Sequence, residues 1–355
     1  MFAGPRQFFA GWRGLGWFWL LVAVLAAMGG VALQMIGPPG APAPRPIVSQ
    51  TPAPPVRPRG EPVKPAPQQT ANAAPTQRPG RDTPGPIADP DPALLEPVSG
   101  STPTSELLPR IAVDGRMPMQ VYAAGFDSST RRPRVGLLLA GVGLNRAESE
   151  AAIRALPGGV TLAISPYAQN TAKLLGAARS AEHEYLLSIA MEPQGFPLND
   201  PGKQALMTSL SVEQNRSRLD WMLSRIAGYV GAVGAEGSLR GERFASLSEE
   251  MNPMLAELAR RGLLYVDPRP GAAPLPLVWS RRVDLVIDEP GAAADIDDKL
   301  AQLVRLAREK GSALGFAGAV RPVTTQRVAA WANGLAADGL ALAPVSALVE
   351  APAAK

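Results

Sequence analysis

The 355-residue chain has no cysteine and a single histidine, and aromatic residues make up only 5% of it. Without cysteine there is no disulfide framework, no thiol nucleophile and no cysteine-ligated zinc or iron–sulfur centre. Such a composition fits any compartment and suits an oxidising one, where no thiol can mispair. The lone His183 excludes a metal site built from two histidines of one chain. Clustered basic charge is missing as well. The net charge of +4 comes from Arg and Lys scattered singly, without the aromatic-interleaved basic patch of a nucleic-acid surface, so no nucleic-acid partner is expected.

What is present is unevenly spread. Residues 14–36, GLGWFWLLVAVLAAMGGVALQMI, contain no charge. As a helix they would span about 34 Å, enough to cross a bilayer core. Trp12, Trp17 and Trp19 sit near the amino end, where interfacial aromatics gather. The run reads as one transmembrane anchor. Arg6 and Arg13 precede it and the next basic residue is Arg45, which places residues 1–13 in the cytoplasm and everything later outside it. In a Gram-negative-type cell this is the inner membrane, with the remainder in the periplasm. The small residues at 26–30 leave a cleaved signal peptide as the alternative, although a signal core is shorter, about 7–15 residues.

Residues 38–109 hold 21 prolines and no apolar periodicity, so 37–106 is expected to be a disordered tether with a limiting reach of about 200 Å. Pattern begins at 107. LPRIAVDGRMPMQVYAAGF predicts a strand pair turning at Asp114–Gly115. Short buried strands are then expected at 135–139, 160–164, 185–189, 230–233, 263–266, 283–287, 313–316 and 340–342. Helices are expected at 168–181, 212–226, 247–261, 293–310 and 324–337. Leu219, Met222, Leu223 and Ile226 show the spacing of one buried helical face. Repeated strand–helix units predict a parallel α/β fold, most economically a single barrel, with an open doubly wound sheet as the alternative. In either, ligands meet the carboxyl ends of the strands.

Four strings in order, SPYAQN (165–170), AEHEYLLSIAMEP (181–193), RRGLLYVDPRP (260–270) and GLALAPVSALV (339–349), resemble the divergent polysaccharide deacetylase family. The resemblance spans 107–349 and leaves 350–355 as a tail. It implies a deacetylase-like distorted (β/α) barrel acting on carbohydrate. It also implies a divalent metal that polarises an amide carbonyl and activates water, with a carboxylate and an imidazole moving protons. The chain departs from that pattern where it matters. Ala140 and Gly141 replace a consecutive aspartate pair, Gly234 and Ala235 stand in an Asn-Asn-His run, Ser188 replaces a histidine, and Gly318, Ala319 and Val320 replace Gly-His-Pro. Ala and Gly neither ligate metal nor carry protons, so no metal and no cofactor are expected.

Glu192, Asp267, Arg269 and Asp288 match family positions at strand ends and are the expected ligand-binding residues, with Glu236 and Glu289 nearby. Asp267, Asp288 and Glu192 are also the only candidates for acid–base catalysis on a glycoside. The alternative is structural, with Asp267 pairing with Arg269. Trp279, in the AAPLPLVWS loop, is the expected sugar platform, whereas Trp221 and Trp331 sit at helical apolar spacing and read as core. His183 precedes a strand, the wrong end for chemistry, and reads as a structural hydrogen bond. The GVG at 141–143 lacks the further glycine of a phosphate loop. The sequence thus predicts a membrane-anchored, catalytically inactive glycan-binding barrel, with peptidoglycan or envelope proteins as partners. The alternatives are an envelope scaffold and a hydrolase using the retained carboxylates.

Overall fold

The computed structural model describes residues 79–98 and 106–352, together with Trp19 and Val22. The chain divides into two units, Met1–Gln68 and Gln69–Lys355. Of the first, only Trp19 and Val22 are described, both helical. The membrane helix expected at 14–36 otherwise lies outside the described residues, as do 37–78 of the expected tether. Among the described residues no helix is long and apolar enough to cross a membrane.

Part of the expected tether is folded. Residues 79–98 pack under the domain, and β1 (Leu95–Pro97) pairs antiparallel with β2 (Leu107–Pro109). Leu94 is fully buried, and Glu96 takes a 2.8 Å ion pair from the buried Arg261. A few anchoring side chains therefore outweigh the proline content, which carries no periodicity to reveal them. The hairpin expected at Asp114–Gly115 is half right. The turn forms, with Gly115 N donating to Ala112 O, but the following residues make the short helix α1 (Pro118–Val121). Pro118 opens that helix, where its missing N–H costs nothing, and β2 pairs backwards with β1 instead.

The barrel follows as β3 (Arg134–Val142), α2 (Arg146–Ala155), β4 (Thr161–Ile164), α3 (Thr171–Ser180), β5 (Tyr185–Ser188), α4 (Val212–Leu223) and β6 (Gly231–Val233). It continues with α5 (Glu242–Ala245), α6 (Ser248–Arg260), β7 (Leu264–Asp267), β8 (Ser280–Arg282), β9 (Leu285–Val286), α7 (Ala293–Lys310), β10 (Ser312–Ala317), α8 (Pro322–Gly334) and β11 (Ala341–Leu342). The strands form one parallel sheet in the order β8-β7-β6-β5-β4-β3-β10-β9, with β11 added beside β3. Its two ends are one stretch of chain. Ser280–Arg282 pairs with β7 and Val283 N bonds Asp267 O, whereas Asp284 N bonds Leu314 O and Leu285–Val286 pairs with β10. The sheet thus curls until a single segment bridges its edges, the distorted barrel expected from the resemblance.

Helix α7 shows why the outer layer forms. Ile296, Leu300, Leu303 and Ala307 recur at spacings of four and three and are buried, each large one contributing about 2 kcal/mol, and Gly311 at φ +78 ends the helix. Helix α2, absent from the sequence-based expectation, buries only Ala152 and Ile153 among its apolar residues, too few for a visible stripe. The interior is filled by Leu138, Ala140, Ala163, Leu186, Val233, Ala235, Val266 and Phe316, and Met119 and Tyr122 join the same cluster. Because every ladder is parallel, the ends of β3 to β7 and of β10 share one rim, which is where a ligand site belongs.

Candidate functional site

The positions at which the resemblance implies a metal are occupied by the fold itself. Ala140 and Ala235 are fully buried in the interior cluster. Gly141 follows a register shift in β3 and has φ +76, a backbone region in which a side chain would be strained. A Cβ at Gly234 would overlap Tyr265 Oη and Met191 Cε. Among the described residues no three His, Cys, Asp or Glu side chains come together as a metal site. The residues present do not fit a divalent metal.

The expected rim residues each have a structural partner. Asp267 is buried and bound bidentately by Arg269, at 2.9 Å from Nε and 2.7 Å from the second nitrogen, the pairing foreseen as the structural alternative. Asp267 in turn holds the Arg269 guanidinium above its usual pKa. Asp288 accepts from Gly318 N and Ala319 N, both at 3.0 Å, and burial outweighs these donors in raising its pKa. Glu192 accepts from Thr208 N and Thr208 Oγ1 at 2.7 Å and ion-pairs with Arg243 at 3.1 Å. Glu289 pairs with Arg240 at 2.6 Å. Trp279 lies at the amino end of β8, half-buried against the interior cluster, so the strand length separates it from the rim. His183 is buried, bonded to Val160 O at 2.8 Å and Ile153 O at 3.2 Å.

The rim does hold a cleft, of about 640 Å³, and a different set of residues lines it: Leu144, Tyr167, Asp200, Lys203, Trp221, Glu236 and Leu239 among them. Trp221, expected in the core, is half-buried. One side of it packs on the outer hydrophobic layer, its ring lies 5.7 Å from that of Tyr167, and Arg225 sits 5.1 Å above it. These contacts fix an aromatic wall. Glu236 forms part of the floor. It lies three residues past the end of β6 and is held by a tight turn in which Glu236 and Leu239 exchange backbone hydrogen bonds around Gly237, φ +57.

Glu236 is strongly perturbed. It is 8% exposed, and burial pushes its carboxyl up to about 7 against the single donor that lowers it, Ser165 Oγ at 2.6 Å from Oε1. Its Oε2 has no hydrogen-bond partner among the described residues. From sequence Glu236 stands near the site without a role, because one carboxylate after a strand makes no pattern. The available signal was positional: Ser165 and Glu236 lie just past the ends of β4 and β6, the strands flanking β5.

A model of the divergent polysaccharide deacetylase family matches residues 137–349, more than half of the chain. Among solved structures, an uncharacterized protein from Agrobacterium tumefaciens C58 is 29% identical with a TM-score of 0.63, covering 69% of this chain and 100% of its own. A putative cellobiose-phosphate cleavage protein from Enterococcus faecalis V583 is 10% identical with a TM-score of 0.43, covering 62% of this chain and 100% of its own. A search of curated proteins finds no match. With the family match running from within β3 through the last strand of the barrel, the chain belongs to the divergent polysaccharide deacetylase family.

Proposed function

We propose that this domain binds a glycan of the cell envelope, such as peptidoglycan, in the Tyr167–Trp221 cleft, and that it does so without metal-dependent hydrolysis. The observation that carries this reading is an aromatic-walled cleft at the ligand end of a carbohydrate-family barrel whose metal positions are filled by Ala140, Ala235 and Tyr265. An aromatic face takes the apolar face of a sugar ring, while Gln204, Lys203 and Asp200 offer polar groups to its hydroxyls. Glu192, Asp267 and Asp288 then serve to hold the loops that frame the cleft. Titration of the full-length chain with peptidoglycan fragments tests this: saturable binding is expected, weakened at least about tenfold in Trp221→Ala by loss of the platform. Equal binding by both proteins would overturn the assignment of the cleft.

The same reading places the chain in the inner membrane through residues 14–36, with the barrel in the periplasm within reach of the wall. The charge-free run and the preceding Arg6 and Arg13 support this. A carboxy-terminal reporter active only outside the cytoplasm should be active, and an inactive one in a stably expressed fusion would contradict the topology.

A further inference from the structure

The two oxygens of Glu236 are not equivalent. Ser165 Oγ accepts from Tyr167 N at 3.1 Å and donates to Glu236 Oε1 at 2.6 Å. With Ser165 as the donor, Oε1 is the acceptor of that bond, which leaves Oε2 to carry a proton held by this side chain. Oε2 is the buried, unpartnered oxygen, in a residue that lines the cleft. A buried polar atom left unpaired costs about 1–3 kcal/mol, a cost that a ligand pairing it relieves.

We propose that Glu236 reads the ligand as an acid, donating a hydrogen bond from its Oε2 hydroxyl to an oxygen of the bound sugar that carries no hydrogen, such as a ring or acetamido oxygen, so that binding requires the neutral carboxyl. This inference rests on the glycan reading above and adds to it the polarity of the contact and its dependence on pH. When ionised, Oε2 presents only lone pairs to the sugar oxygen and repels it. Burial raises the Glu236 carboxyl to about 7, so the neutral form is substantially populated in neutral solution.

The other charged and titratable groups around the cleft come from three elements. Tyr167 follows β4, and burial raises its hydroxyl pKa, which keeps it neutral. Asp200 and Lys203 lie in the loop after β5. Arg218 and Arg225 lie on and just beyond α4, the first bonded to Ala205 O at 2.5 Å and the second over Trp221. Leu144 and Leu239, from the β3 end and the Glu236 turn, bring no charge. The chain's one histidine is buried at the amino end of β5, away from this rim.

The test is the dissociation constant of a peptidoglycan fragment for the full-length chain from pH 5 to 9. Affinity should be level below about pH 6 and fall about tenfold per unit above pH 7, as the proton required in the complex becomes scarce. Glu236→Gln, whose amide N–H stands where the hydroxyl stood, should remove the slope, and Glu236→Ala should weaken binding at pH 5 about tenfold. A wild-type profile without slope, one that rises with pH, or a slope that survives in Glu236→Gln overturns the inference and leaves the glycan reading intact. No binding at any pH by the wild-type chain overturns both.

Discussion

The barrel buries a glutamate near each of its ends, and the two have opposite surroundings. At the amino end Glu184, fully buried, accepts from Ala124 N at 3.2 Å, Thr161 Oγ1 at 3.1 Å, Ser346 N at 2.9 Å and Ser346 Oγ at 2.6 Å. Those donors come from the amino-terminal arm, from β4 and from the carboxy-terminal segment, so one carboxyl ties three distant parts of the sequence beneath the strands. At the carboxyl end Glu236, which lines a cleft, has among the described residues one donor to its carboxyl and a buried second oxygen without a partner. Burial raises the pKa of both, but only at Glu184 do several donors oppose it. A saturated buried carboxyl is a staple, whereas an unsaturated one costs stability and leaves an atom that a ligand can pair.

The sharpest way to break this comparison is to remove the staple. Glu184→Ala leaves the amides of Ala124 and Ser346 buried without acceptors, and a loss of about 4 kcal/mol is expected in chemical denaturation. The same residue type at the other end should behave in the opposite sense. The Glu236 carboxyl titrates near 7 folded against an ordinary 4.5, so wild-type stability falls as pH rises through that window. Glu236→Gln has no such fall and should match the wild type at pH 4 but exceed it by about 3 kcal/mol at pH 8. Equal stabilities at pH 8 would show that Glu236 is not the raised acid described.

Asp288 is intermediate, because its two oxygens are satisfied by just two amides, Gly318 N and Ala319 N. Asp288→Ala should cost about 2 kcal/mol by unpairing them. The smallest effect belongs to Ser165→Ala, about 1 kcal/mol, which removes the one donor to the Glu236 carboxyl among the described residues and should push that carboxyl further up, readable by carbon NMR of the side chain. If Glu236 titrated lower in that variant, Ser165 would not be its donor.

Much of the barrel is legible in the sequence because its strands are short continuous apolar runs and its longer helices carry clear stripes, as Ile296, Leu300 and Leu303 do. Residues 79–98 were not, since Leu94 and Glu96 act through Arg261 and Arg110, partners that only the fold brings near. Strand-end carboxylates were legible as positions but not as roles. Whether Asp267 is free or bound depends on Arg269 folding back two residues, and proximity in sequence was a fair guide there. Trp221 reads as core because one of its faces is core, and the cleft on its other side is made by Tyr167 and the loop at 200–204, distant in the chain.

The most direct test of the account is calorimetric titration of peptidoglycan fragments into the full-length chain, once in chelator and once after loading with zinc. The account predicts one and the same affinity in both, lost in Trp221→Ala, with no acetate released in either. Binding or acetate release that appears only with the metal would contradict it, since it would require ligands that Ala140, Gly234 and Ala235 do not supply.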